Sequence, residues 1–187
     1  DYLGSDGQMV VNNIRDPHPL QRSFINAGIQ AGYPATDING PTPHGFGVVD
    51  SATDNGRRSS TYESYLKPAL NRPNLSVICH AQVKKLLVKN GIVTGVEFEH
   101  SGVTTQISIT TEVVLSAGAI GTPSILLKSG IGPEATLRNA GIELIAPIAG
   151  VGENLQEHVC SGIGKYINVK SLNSQMDPIS GLTHIFN

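Results

Sequence analysis

Residues 118–132 read GAIGTPSILLKSGIG, and they directly follow the stretch EVVLSA at 112–117. The earlier stretch is apolar and rich in strand-forming residues, so the pair predicts a strand at Val113–Ser116 that ends in small residues and leads into a short helix. Small residues at the carboxyl end of a strand allow a flat ligand or a phosphate to approach the backbone closely. The same pattern more often reflects tight packing alone, so the physics favours a nucleotide site only weakly.

The residues before this segment predict short strands separated by turns. Four strands are each bounded by turn residues: Val77–Cys79, Val83–Val88, Ile92–Phe98 and Thr104–Ile109. The dipeptides Asn-Gly at 90–91 and Ser-Gly at 101–102 are hairpin signals, so the last three strands form an antiparallel meander. The run Val113–Ser116 does not alternate, which suits a strand buried on both faces. We therefore expect it to share one sheet with Val77–Cys79, with the meander outside that sheet.

The remaining segments predict helices and one further strand. The first helix has Asp16 as its cap and Pro17 in its first position, and Gly32 ends it. The other elements are a helix from Ser59 or Ser60, where Ser60 and Glu63 have capping-box spacing, a helix within Pro133–Gly141, and a strand at Ile142–Ile145.

Several short motifs occur in one order along the chain. They are NGRRSST at 55–61, YLKP at 65–68, RPNLSV at 72–77, AQV at 81–83, GVEF at 95–98 and GVGENLQEH at 150–158. Together with residues 118–132, which resemble a family signature, they are similar to the glucose–methanol–choline (GMC) flavin oxidoreductases. The resemblance extends from about residue 37 to residue 158, and it is closest in character to the animal alcohol and glucose dehydrogenases.

The resemblance implies a fold class, a domain organisation and a function. The fold is α/β: part of an FAD/NAD(P)-binding (two-dinucleotide-binding) fold with an inserted antiparallel meander, plus segments of an α+β substrate domain. Residues 1–72 would form a substrate-domain segment and connection, 73–157 the central part of the FAD-binding domain, and 158–187 the start of a second substrate-domain segment. The parent protein would be an FAD-dependent oxidoreductase acting on the CH–OH group of an alcohol or sugar, with hydride passing from carbon to flavin N5.

Three residues are expected at the FAD site on this basis. Val83 stands where family members place a strand whose backbone pairs with the adenine edge, and exposed strand N–H and C=O groups can recognise a purine without a special side chain. Ala117 and Gly118 lack bulk, so FAD could lie against the end of the preceding strand. The alternatives are an ordinary core valine at Val83 and plain helix–sheet packing at Ala117 and Gly118.

No catalytic residue and no metal ligand is assigned. The family's phosphate-binding loop and its catalytic histidine lie outside the region of resemblance, and no Gly-x-Gly-x-x-Gly follows a strand here. None of the six histidines has a second ligand at metal spacing. His158 matches a family landmark in which Glu157 replaces the more usual Asp, and a structural role is favoured. Arg57 and Arg58 form either a solvated pair or a contact that positions their loop.

Composition limits the classes of partner. The net charge is −2, so nothing attracts the chain to nucleic acid, and no apolar run reaches the roughly 20 residues that a membrane span needs. The expected partner is a small-molecule alcohol or sugar, with the electron acceptor and the compartment undetermined. Cys79 is expected as a buried reduced thiol, and a bridge to Cys160 would need an oxidising compartment.

Both ends of the chain are interpreted as cuts inside a larger protein. We therefore expect the chain alone to be inactive, poorly stable and weak in FAD binding. Two other functions compete with this interpretation. One is a non-catalytic domain that keeps the fold for packing or protein binding. The other is a nicotinamide dehydrogenase with a degenerate Rossmann turn at 116–121, which lacks an acidic residue at the end of a following strand, roughly 20 residues on.

Overall fold

A computed structural model describes residues 4–14, 17–162, 164 and 166–170. These residues form two compact units. The first unit contains the described residues up to Ser76 together with those from 164 onward, and the second is Val77–Gly162. The predicted boundaries at 72 and 157 stay predictions, because a division into compact units does not establish which functional domain each segment belongs to.

Two small antiparallel ribbons and two helical segments make up the first unit. Strand β1 (Asn12–Asn13) pairs with β2 (Asp50–Ser51), and β3 (Thr53–Asp54) pairs with β4 (Arg57–Arg58). The Ser59 hydroxyl, which is buried, accepts a hydrogen bond from the Val10 N–H at 2.9 Å. This bond ties the chain before β1 to the chain after β4.

Helix α1 (Pro19–Gln30) begins two residues later than expected. His18 caps it, with Nδ1 accepting from the Leu20 N–H at 3.2 Å, and Pro19 rather than Pro17 takes the first position. Proline fits there because its missing N–H would have no helical partner. The proposed cap Asp16 lies outside the described residues. The predicted end is confirmed, since Gly32 has φ +93° just past the helix.

The second helical segment is a π-helical turn, Tyr62–Leu66, that continues into α2 (Lys67–Ala69). The Ser60 hydroxyl accepts from the Glu63 N–H at 3.4 Å, at the predicted capping position. Pro68 has no N–H to donate to the preceding turn, and a widened turn is one way to accommodate it. The Glu63 carboxylate accepts a hydrogen bond from Lys67 and raises the pKa of that amine.

The antiparallel meander predicted for the second unit is confirmed. It consists of β5 (Ala81–Lys89), β6 (Ile92–His100) and β7 (Val103–Ser108) in that order, with β6 in the centre. Each hairpin turn has two central residues with positive φ. They are Asn90 at 52° and Gly91 at 75° in the first turn, and Ser101 at 53° and Gly102 at 77° in the second. Positive φ at both central positions is the type I′ geometry that matches strand twist, and Asn, Ser and Gly occupy these positions.

The β5–β6 ladder contains two irregularities. Val83 pairs with Phe98 and Lys85 with Glu97, so Lys84 is an extra residue on β5. Leu87 pairs with Gly95 and Val88 with Val93, which leaves an extra residue on β6. Each extra residue is a β-bulge, and it reverses which edge of the strand the following backbone groups face.

Helix α3 (Gly118–Lys128) follows the meander and packs against β5. It leads into β8 (Ile131–Gly132), α4 (Glu134–Asn139) and β9 (Ala146–Pro147), and β8 pairs with β9 in parallel. Leu137 of α4 is completely buried, and the other buried apolar side chains of this unit are Leu86, Phe98 and Ile125. The buried apolar side chains of this unit therefore come from the meander, α3 and α4.

Three predicted strands are wrong. Val77–Cys79 and Val113–Ser116 form no strand and share no sheet, and the strand expected at Ile142–Ile145 occurs instead at β9. An extended segment becomes a strand only when a neighbour bonds to it, and no described residue pairs with either of the first two. Val114 is accordingly 75% exposed, and Cys79 is an exposed free thiol rather than a buried one.

Candidate functional site

The start of α3 is open and built from small residues. Gly118 has φ +83°, and a Cβ built there would meet no atom within 4 Å. Ala117 precedes it as the capping residue, and both residues are exposed. A positive φ without steric contact means that glycine is needed for its backbone conformation and leaves free space around it.

The backbone N–H groups at this helix start are only partly used. The first four N–H groups of a helix have no partner inside it, and here they belong to residues 117–120. The Thr122 hydroxyl accepts from the Ala117 N–H at 3.0 Å. The N–H groups of the next three residues remain available, and Ile120 is 78% exposed. The helix start can therefore donate hydrogen bonds to an external group.

An apolar groove of about 630 Å³ lies between α3 and a loop of the same unit. One wall is the helix, through Ile120, Pro123 and Leu127, and the other is the loop 152–156. That loop is held in a turn by Gly152, which has φ +83°. The groove is partly open to solvent.

Val83 lies on an edge of the meander that carries no partner strand among the described residues. In an antiparallel ladder, successive residues point their N–H and C=O alternately to the two neighbouring strands. His100 and Val103 close a two-residue hairpin, so the N–H and C=O of His100 point to β7. Phe98 is two residues earlier, so its N–H and C=O also point to β7. Val83 is opposite Phe98, and its own N–H and C=O therefore point away from β6, to the open edge of β5.

A hydrogen bond at Leu86 supports this alternation independently. Leu86 pairs with Val96, which also faces β7, so its N–H must point to the same open edge as that of Val83. The Leu86 N–H donates to the Ser129 hydroxyl at 2.8 Å rather than to β6. The bulge at Lys84 is the reason that two residues three positions apart face the same edge.

Comparison with known proteins identifies the family. The profile described as GMC oxidoreductase matches residues 3–160. This chain belongs to the GMC oxidoreductase family. An oxygen-dependent choline dehydrogenase of Photobacterium profundum is 45% identical over 161 residues, which are 84% of this chain and 28% of that protein. The mitochondrial choline dehydrogenase of Mus musculus is 40% identical over 159 residues, 84% of this chain and 27% of its own.

Solved enzyme structures share the fold of this chain over most of its length. An FAD-dependent oxidoreductase from Chaetomium thermophilum superposes with a TM-score of 0.70 at 28% identity, over 79% of this chain and 26% of that one. Pyridoxine 4-oxidase from Mesorbium loti gives 0.68 at 25% identity, over 78% of this chain and 29% of its own. These likenesses confirm the predicted α/β fold class. The GMC chain described here spans less than a third of the length of these relatives.

The three residues predicted for the cofactor all lie in the second unit of this GMC chain. Ala117 and Gly118 are adjacent at the start of α3, and Val83 is on the open edge of β5, the strand that α3 packs against. No hydrogen bond among the described residues joins Val83 to the other two. Ser129, the residue that bonds this edge to α3, was not predicted, because a serine at a helix end has no signal in the sequence that reports its distant partner.

Other residues considered from the sequence form no cluster in this GMC chain. The loop at His158 is exposed, and the His158 N–H is bonded to the neighbouring Glu157 carboxylate at 2.8 Å. Arg57 and Arg58 are exposed on β4. Within the described ranges, no group of three or more His, Cys, Asp or Glu residues could hold a metal ion.

Proposed function

We propose that this chain supplies part of the FAD site of an oxidoreductase that acts on the CH–OH group of an alcohol. Membership of the GMC oxidoreductase family supports the class of reaction. Solved relatives named as FAD-dependent support the cofactor. Because the chain spans under a third of these relatives, the activity belongs to the full-length polypeptide that contains it.

The open edge of β5 is the observation that best fits the adenine end of FAD. Adenine presents a hydrogen-bond acceptor beside its exocyclic amino donor, so a backbone N–H and C=O on one strand edge are its complement. Val83 presents both groups to the same edge, and no described strand uses them. No side chain is required for this recognition, which explains why an apolar residue can occupy the position.

The start of α3 fits a second part of the cofactor. Gly118 leaves open space, and the N–H groups of residues 118–120 have no partner inside the helix. A helix start of this kind stabilises a negative charge or a polar edge that accepts hydrogen bonds from those N–H groups. Ala117 is fixed by Thr122, which holds the capping residue in position and leaves the next N–H groups to the ligand.

A bound flavin would supply the hydride acceptor for the alcohol carbon, which is the chemistry that defines the proposed reaction. The residues described here bind and orient the cofactor, and none of them is assigned a proton-transfer role. Choline is the first alcohol to test because the curated relatives are named for it. Other alcohols and sugars are the next group, as the resemblance in the sequence implies.

The experiment uses the full-length polypeptide that contains these residues, purified without added cofactor. We expect a yellow protein that releases FAD on denaturation and loses its visible flavin absorbance when an alcohol substrate is added without oxygen. A colourless protein that binds nicotinamide nucleotides would overturn the proposal. A yellow protein that no alcohol or sugar reduces would favour the non-catalytic alternative.

Within the described residues, no helix combines the length and the apolar character that a membrane span needs.

A further inference from the structure

The Ser129 side chain connects the edge that carries Val83 to helix α3. Its hydroxyl donates to the Ile125 C=O at 2.6 Å and accepts from the Leu86 N–H at 2.8 Å. The residue is only 4% exposed, so water cannot easily replace either partner. Among the described residues, this is the one hydrogen bond that joins β5 to α3.

The bond at Leu86 lies on the same strand edge as Val83 and therefore affects where Val83 is held. Leu86 and Val83 face the same open edge because the bulge at Lys84 lies between them. A bulge bends a strand and weakens the ladder locally, so the edge beyond it is less firmly held by β6. The bond to Ser129 fixes the edge on the other side of the bulge, about 10 Å along the strand from Val83.

The same side chain also fixes the far end of α3. Ser129 is the residue that ends this helix, and its N–H is bonded to the Ile125 and Leu126 carbonyls. The last turn of α3 lies roughly 16 Å from Gly118, and Pro123 stands between them without an N–H for the helical bond to residue 119. One hydroxyl therefore bonds β5 to the last turn of the helix that begins at Gly118.

We propose that Ser129 is a positioning residue for FAD: through Leu86, it sets the placement of the Val83 edge relative to α3. This inference rests on the proposed function. Loss of the Ser129 hydroxyl should therefore weaken binding of the adenine end of the ligand in particular, because that is the end proposed to bind at Val83. A serine that served stability alone would affect folding without such selectivity.

The test compares Ser129→Ala with wild type in the full-length polypeptide stripped of FAD. We expect the variant to bind FAD about tenfold more weakly, the equivalent of one ordinary hydrogen bond, and ADP more weakly by the same factor. ADP is the deciding probe because it carries the adenine and lacks the flavin ring. Weakened FAD binding with unchanged ADP binding would contradict the inference.

A matched control separates positioning from stability. Leu137→Ala removes a fully buried side chain in α4 and no hydrogen bond on β5. Measured well below its unfolding temperature, it should bind FAD within about twofold of wild type although it is less stable. If it weakens FAD and ADP as much as Ser129→Ala does, Ser129 has only a structural role.

A second variant covers the case in which Ser129→Ala does not fold. Ser129→Cys has nearly the same shape and a weaker hydrogen-bond acceptor. It should weaken ADP binding to a smaller extent and speed hydrogen exchange at the Leu86 amide. Faster exchange at Leu86 without any change in ADP affinity would overturn the inference. If wild type binds neither FAD nor ADP, the proposed function fails first, and the two failures are thus distinguished.

Discussion

At the scale of single residues, Gly118 is the clearest case of a backbone conformation that side chains rarely adopt. Its φ is +83°, and other glycines in the second unit also have a positive φ, including Gly141 at +67°. A Cβ built at either glycine would meet no neighbouring atom within 4 Å. The two sites therefore differ in location but not in local strain, which makes them a matched pair.

Replacing Gly118 by alanine should cost stability and FAD affinity together. The left-handed conformation costs an alanine roughly 1–2 kcal/mol, and the added methyl enters the space that the cofactor is proposed to use. Gly141→Ala should lose a similar amount of stability and keep normal FAD binding. Urea denaturation and FAD titration of both variants check this prediction. Equal FAD affinities in the two variants would remove Gly118 from the site.

Leu137 is the residue whose loss the second unit should tolerate least. It is completely buried, so truncation leaves a cavity that its neighbours fill only in part. We expect Leu137→Ala to lower the free energy of unfolding by about 2–5 kcal/mol. Ile120→Ala, at a position that is 78% exposed, is the control and should cost under about 0.5 kcal/mol. Similar losses in both variants would show that the core is not where the structure places it.

At the scale of elements, the meander follows from its own sequence. Its two hairpin turns carry Asn-Gly and Ser-Gly, and local turn chemistry alone sets their geometry. Apolar runs also predict strands at 77–79 and 113–116, but neither segment forms a strand. Strand formation there depends on a partner at a distance, which no local pattern reports.

Within the meander, Gly95 is the position where a side chain should do most damage. A Cβ there would lie 2.6 Å from the Ile107 carbonyl oxygen of β7, a distance that real Cβ atoms do not adopt. We expect Gly95→Ala to separate β6 from β7 and to cost about 1–3 kcal/mol. Gly102→Ala is the comparison: its φ of +77° costs an alanine roughly 1–2 kcal/mol, but a Cβ there meets no atom, so the β6–β7 pairing should stay intact. Hydrogen exchange of the β7 amides in the two variants measures the difference, and normal protection in Gly95→Ala would contradict the prediction.

At the scale of the whole molecule, the family could be predicted from the sequence, whereas much of the site could not. Residues 118–132 and the motifs around them indicated a GMC oxidoreductase, and the family comparison confirms it. The role proposed for Val83 needed the register of three strands and the bulge at Lys84. Ser129 became visible only through its bond to Leu86, 43 residues away in the chain. Long-range pairing of this kind is set by packing, and a single sequence does not display it.

The central claim is that the free edge of β5 at Val83 binds the adenine end of FAD. Hydrogen exchange at single-residue resolution, in the full-length polypeptide with and without saturating FAD, tests it most directly. The Val83 amide faces the open edge, so it should exchange rapidly without FAD and slow strongly when FAD binds. The neighbouring Gln82 amide, which faces β6 opposite Glu99, is the internal control and should be protected in both states. A Val83 amide that is already protected without FAD, or that FAD leaves unchanged, would contradict the account.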